Sequence, residues 1–146
     1  MPRNFCGKSN SDKLEKLQER ALRFVYNDYV TPYHKLLSQA NLLSLSMYRI
    51  RFLAIEMYKC VNMTNPDFMN VMFKEKSTSY NLRDDNLVFQ PKLKTYTFAY
   101  RSFKYYGAKL WNNLPANLKR CDSFYLFKKN LNEWCNTEEA SKLVIF

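Results

Sequence analysis

Between Leu45 and Val61 almost every side chain is apolar. Leu45, Tyr48, Phe52, Ile55, Met57, Tyr58 and Val61 leave Arg49, Arg51, Glu56 and Lys59 as the clearly polar positions. A helix apolar on most sides must be covered by other elements, so this segment predicts the central member of a helical bundle. Ser44 or Ser46 supplies a cap for its start. The segment is too short and too charged to cross a bilayer, which takes about 18 apolar residues or more. Arg49 and Arg51 stand two residues apart and diverge by about half a turn, so they cannot form one clamp.

The rest of the chain repeats the helical period. Asp12 with Glu15 three residues on has the pattern of a capping box. Leu14, Leu17, Ala21, Phe24 and Val25 then recur at three- and four-residue intervals as one apolar stripe. Thr31 and Pro32 predict an N-cap and first turn for a short helix over Tyr33–Ala40, and Asn65-Pro66 opens another that carries Phe68, Val71, Met72 and Phe73. Gly107-Ala108-Lys109-Leu110-Trp111-Asn112-Asn113-Leu114-Pro115 reads as a helix with a stop. Leu110 and Trp111 anchor it, Asn112-Asn113 suits a left-handed C-cap, and Pro115 cannot continue it. Ser123 caps a last helix whose Phe124, Phe127, Leu131 and Trp134 share one face while Lys128 and Lys129 point away.

The expected fold class is therefore mainly α, a small helical bundle. Leu87-Val88-Phe89 and Thr95-Tyr96-Thr97-Phe98, separated by Pro91, add a short β-hairpin or extended arm around residues 87–98. Residues 1–11 read as a flexible start, 12–136 as a single helical domain and 137–146 as a tail. A chain of 146 residues suits one domain. An apolar content of 47% with 16% aromatics argues against disorder.

Several classes of chemistry find no material here. Gly7 and Gly107 are the only glycines, too few for a phosphate cradle or a Rossmann turn. Cys6, Cys60, Cys121 and Cys135 are scattered with no Cys-x-x-Cys pair, and His34 is the single histidine, so no zinc spacing is present. The expectation is reduced, packed thiols, Cys60 among them in the core, with a Cys121–Cys135 contact left open. His34 reads as a surface or hydrogen-bonded histidine, because no nucleophile accompanies it. No secretory signal is evident, which suits a nuclear or cytoplasmic protein that is not secreted. No metal and no cofactor is expected.

Charge points toward a polyanionic partner. The chain carries 23 Lys+Arg against 13 Asp+Glu, a net +10, and such a surface favours DNA or RNA through counterion release. Lys13, Lys16, Arg20 and Arg23 follow the helical period beside the first apolar stripe and could track phosphates. They could equally be solvated charge, with Glu19 pairing Arg23 at i,i+4. From Tyr80 to Tyr106, Arg83, Lys92, Lys94, Arg101 and Lys104 alternate with aromatic residues on which bases could stack. Phe103 and Tyr106 have helical spacing there and suit a core equally well. The candidate nucleic-acid-binding residues are Lys13, Lys16, Arg20, Arg23, Arg83, Lys94, Arg101 and Lys104.

Five stretches resemble, in order, the region C-terminal to the polymerase core of non-LTR retrotransposon reverse transcriptases of the jockey-like and LINE-like group. They are the helix Leu14–Tyr26; Tyr33-His34-Lys35-Leu36-Leu37; Tyr48-Arg49-Ile50-Arg51 leading to Met57-Tyr58-Lys59; Tyr80-Asn81-Leu82-Arg83; and Arg101–Pro115 followed by Phe127–Trp134. Ala99 stands where these elements often carry glycine. The resemblance implies a fragment of an RNA-directed DNA polymerase that helps grip template, primer or target DNA and has the polymerase core as its partner. An alternative is a structural scaffold or inactive remnant packed on the polymerase body. The paired aspartates of the polymerase palm are absent, since Asp84-Asp85 sits in a polar loop, so the expectation is no catalysis.

Overall fold

A computed structural model describes residues 8–62, 64–73, 87–92, 102–137 and 139–140. The mainly α fold class is what the structure has. Its helices are α1 (Lys8–Tyr26), α2 (Tyr33–Gln39), α3 (Leu45–Val61), α4 (Asp67–Asn70), α5 (Phe103–Asn113), α6 (Ala116–Lys119) and α7 (Phe124–Cys135). No strand occurs among the described residues. Residues 87–92 of the expected hairpin carry none, and residues 93–98 lie outside the described set. So do Asp84-Asp85 with their polar loop, Ala99, Cys6 and residues 138 and 141–146 of the expected tail. The chain forms two compact units, Met1–Ile50 with Cys135–Phe146, and Arg51–Trp134.

In the first unit α1 begins at Lys8, four residues ahead of the expected Asp12, and Glu15 makes no capping box. Its carboxylate instead accepts the backbone N–H of Ser46 at 2.7 Å and the Tyr33 hydroxyl at 2.9 Å, while Gln18 accepts the same hydroxyl at 2.7 Å and donates to the Leu43 carbonyl at 3.2 Å. Glu15 thus satisfies an orphan N–H at the start of α3, where Ser44 Oγ also accepts from Met47 N as the sequence predicts. At α2 the N-cap is Pro32, not Thr31, and no side chain caps it.

Two asparagines end helices in this unit. Asn27 (φ 50°) and Asn41 (φ 53°) adopt the left-handed conformation after α1 and α2. Behind each, paired backbone bonds close a Schellman motif: Asp28 N to Arg23 O with Asn27 N to Phe24 O, and Leu42 N to Leu37 O with Asn41 N to Ser38 O. The left-handed cap expected at Asn112-Asn113 does not form. Both residues are helical, and the C-cap Leu114 is extended. Asn41→Ala is expected to cost about 1 kcal/mol, because a Cβ-bearing residue without the Asn amide is disfavoured in this conformation, and Asn41→Gly only a few tenths. Chemical denaturation measures it, and equal stability of the alanine and glycine variants would refute it.

The apolar stripe of α1 faces solvent. Leu14, Leu17, Ala21, Phe24 and Val25 are exposed, Phe24 by 80%, whereas Leu22 is buried with Leu36, Met47 and Ile50. The helix turns its polar-looking arc, with Ser11, Glu15 and Gln18, toward the body and satisfies it by hydrogen bonds. Ser11 is buried and accepts from Arg49 at 2.6 Å.

In the second unit α3 carries the bulk of the core, as its composition demands. Ala54, Ile55, Met57, Tyr58 and Cys60 are buried, and Phe52 alone among its large residues stays open, at 66%. Tyr58 stacks on Phe127 (centroids 4.2 Å apart, 22°) and meets Trp111 at a tilt (6.5 Å, 59°), and its hydroxyl donates to the Cys121 carbonyl at 2.9 Å. Phe73 meets Phe103 edge-on at 5.2 Å. Gly107 lets α5 lie against Met57, since a Cβ there would stand 2.6 Å from the Met57 sulfur. Ser123 caps α7 through Leu126 N, and Phe127, Leu131 and Trp134 are buried while Lys128 and Lys129 are exposed, as predicted; Phe124, expected on the same apolar face, is exposed.

One side chain does a strand's work. Asn112, on α5, accepts from Val88 N and donates to Val88 O, both at 2.9 Å, pairing the backbone of residue 88 as a neighbouring strand would. At the same helix end the buried Lys119 ammonium donates to the Asn112 carbonyl at 3.4 Å, a cation placed where the helix dipole is negative.

Candidate nucleic-acid interface

The eight candidate cations fare differently. Lys13, Lys16 and Arg20 are exposed on α1 and fall within roughly 60° of helical arc over about 10 Å of axis. Among the described residues none of the three makes a salt bridge. Arg23 lies at the edge of this row, but its guanidinium is held at home. It meets Glu19 at 2.6 Å and donates to the carbonyls of Asp28 (3.4 Å) and Thr31 (3.1 Å). The i,i+4 pair anticipated from spacing is present, and it recruits Arg23 to hold the turn between α1 and α2. Lys104 is exposed on α5 in the second unit. Arg83, Lys94 and Arg101 lie outside the described residues.

Of the aromatic residues interleaved with those cations, Phe89 is exposed, and Phe103 is half-buried against Phe73. Tyr105 and Tyr106 are half-buried. Phe103 therefore serves the core. Tyr80, Tyr96, Phe98 and Tyr100 lie outside the described residues. Lys92 is exposed.

The turn that Arg23 ties is itself polarised. The Thr31 hydroxyl, then the N–H groups of Thr31 and Val30, bond the Asp28 carboxylate and hold it below its ordinary pKa. Burial, then the bond to Glu15, pushes the Tyr33 phenol above its ordinary value, so it remains a proton donor. Burial likewise raises Tyr58 and the Cys60 thiol, whose sulfur accepts from Asn65 at 3.2 Å. Hydrogen bonds lead the shift at Asp28, and burial leads those at Tyr33, Tyr58 and Cys60. Cys60, Cys121 and Cys135 are buried and form no disulfide.

His34 is exposed, and its backbone carbonyl accepts from Ser38 Oγ at 3.0 Å. Among the described residues no group of three or more His, Cys, Asp or Glu gathers to hold a metal. Among them also, no helix is long and apolar enough to cross a membrane. No protein-family model, curated protein or solved structure matches this chain.

Proposed function

We propose that this chain is a non-catalytic helical module, similar to the C-terminal region of a non-LTR retrotransposon reverse transcriptase, that grips template or target nucleic acid through its basic surface. The observation that carries the reading is the exposed row Lys13, Lys16 and Arg20 on a chain of net charge +10. Cations on a rigid helix neutralise phosphates and release counterions without reading bases, so the contribution is grip and position. The chemistry of DNA synthesis belongs to a polymerase core acting as partner, in the nucleus or cytoplasm.

Fluorescence anisotropy of labelled single strands, duplexes and RNA–DNA hybrids tests it across about 50 to 200 mM salt. The native chain is expected to lose affinity steeply over that range. Replacing Lys13, Lys16 and Arg20 together by glutamine lowers the duplex salt slope by about 2 to 3 while the helical circular dichroism is kept. Negligible binding at the lowest salt refutes the reading. Arg23 is left out of the triple variant because its loss also frees the Asp28–Thr31 turn.

A second reading is favoured by one feature, the solvent-facing stripe of Leu14, Leu17, Phe24 and Val25. An apolar row of this kind suits a scaffold packed on a larger body, as in an inactive element remnant. Under that reading the isolated chain ignores nucleic acid at every salt concentration.

A further inference from the structure

The first two residues of α7 place two aromatic rings at the surface of the second unit. Tyr125 is 79% exposed and Phe124 40%. One helical turn on, Lys128 and Lys129 are both exposed, so each ring is followed in its own i,i+4 column by an ammonium. Lys128 Nζ stands 5.6 Å from the Phe124 ring centroid, and Lys59 Nζ, reaching from α3, stands 5.9 Å from it. Lys59 also meets Glu56 at 2.7 Å, which offsets part of its charge. Phe124 is held in place from below by Tyr58, 5.9 Å away between centroids. Tyr125 adds little to the core, and its ring is open to solvent.

We propose that Tyr125, with Phe124, Lys128 and Lys129, forms a stacking site for unpaired bases of single-stranded nucleic acid. The inference rests on the nucleic-acid reading above and names a further contact and its ligand class. A flat ring open to solvent offers a π-face that any base can cover, and neighbouring ammonium groups take the phosphates on either side. Bases inside a duplex already stack on each other and cannot use the ring, so the site selects single strands. Tyr125 is the stacking ring, and Phe124, braced by Tyr58, positions Lys128 beside it.

The test uses the full chain with labelled oligo-dT and oligo-rU, a duplex of equal length, and phosphatidylserine vesicles. Tyr125→Ala is expected to weaken single-strand binding roughly 5- to 150-fold. Duplex affinity and melting temperature stay unchanged, and Tyr125→Phe retains native single-strand affinity. Lys128→Gln with Lys129→Gln is expected to lower the single-strand salt slope by about 1.4. If the native chain binds nucleic acid and Tyr125→Ala binds single strands equally well, the stacking site is refuted and the wider reading stands. Equal loss for single strands and duplex, or a loss confined to vesicles, also refutes it. If the native chain binds no nucleic acid at low salt, both proposals fall together.

Discussion

Trp111→Ala should lower the unfolding free energy by about 3 to 5 kcal/mol, the range for removing a fully buried large aromatic. The indole is 1% exposed and lies between Tyr58 and Phe127, at 6.5 and 6.4 Å between centroids. Its ring neighbours Tyr58 and Phe127 are themselves buried and already fill their own space. The cavity therefore persists, and its cost adds to the lost transfer energy. Small domains hold only about 5 to 15 kcal/mol in total, so the variant is expected to be partly unfolded at 37 °C. Urea denaturation at 25 °C measures the effect. A loss below about 1 kcal/mol would mean that the ring does not occupy the core described.

The second large effect is expected at Gly107, where the problem is excess volume. A leucine there would drive its Cβ to 2.6 Å from the Met57 sulfur and 3.3 Å from Met57 Cγ before the rest of the side chain was placed. Met57 is fully buried and has no solvent to swing into. Helix α5 must then move away from α3, at about 3 kcal/mol, the upper end for overpacking. Gly107→Ala separates the contributions. Alanine gains up to about 1 kcal/mol of helix propensity over glycine, and a thioether is flexible, so it should fall far short of leucine's loss. A leucine variant that melts with the native chain would show that the two helices are not in close contact.

Period and punctuation made most of the helices legible. Ser44 and Ser123 cap where expected, and the apolar density of Leu45–Val61 does predict burial; Pro66 opens a helix, but it ends at Asn70, with Phe68 inside it and Val71, Met72 and Phe73 beyond it. What the sequence hid is tertiary choice between equivalent local options. Glu15 could serve its own helix or another, and the N–H of Ser46 took it. Asparagines at 27, 41, 112 and 113 are alike in propensity for the left-handed turn. The first two take it because the chain must reverse there, whereas Asn112 finds better partners on Val88 while remaining helical.

The same holds at the candidate interface. Spacing gave the row Lys13, Lys16, Arg20 and Arg23 as a unit, yet Arg23 is drawn off by carbonyls eight and five residues away, which no periodicity encodes. The apolar stripe beside the row was visible, but a stripe does not say which side of the helix the body will occupy when hydrogen bonds can satisfy the other arc. Tyr125 sits one residue from a core phase, and its 79% exposure sets it apart from buried Phe127 two positions on.

The amide of Asn112 recognises main chain and nothing else at residue 88. The bond itself asks nothing of the side chain and needs only two atoms that every residue but one possesses, while the buried Val88 side chain adds packing to the attachment. Proline at position 88 would remove the N–H that the amide oxygen needs, and aspartate at 112 would turn the donor facing the Val88 carbonyl into an acceptor. Residue 88 is thus fixed twice, its main chain by one amide and its side chain by the core.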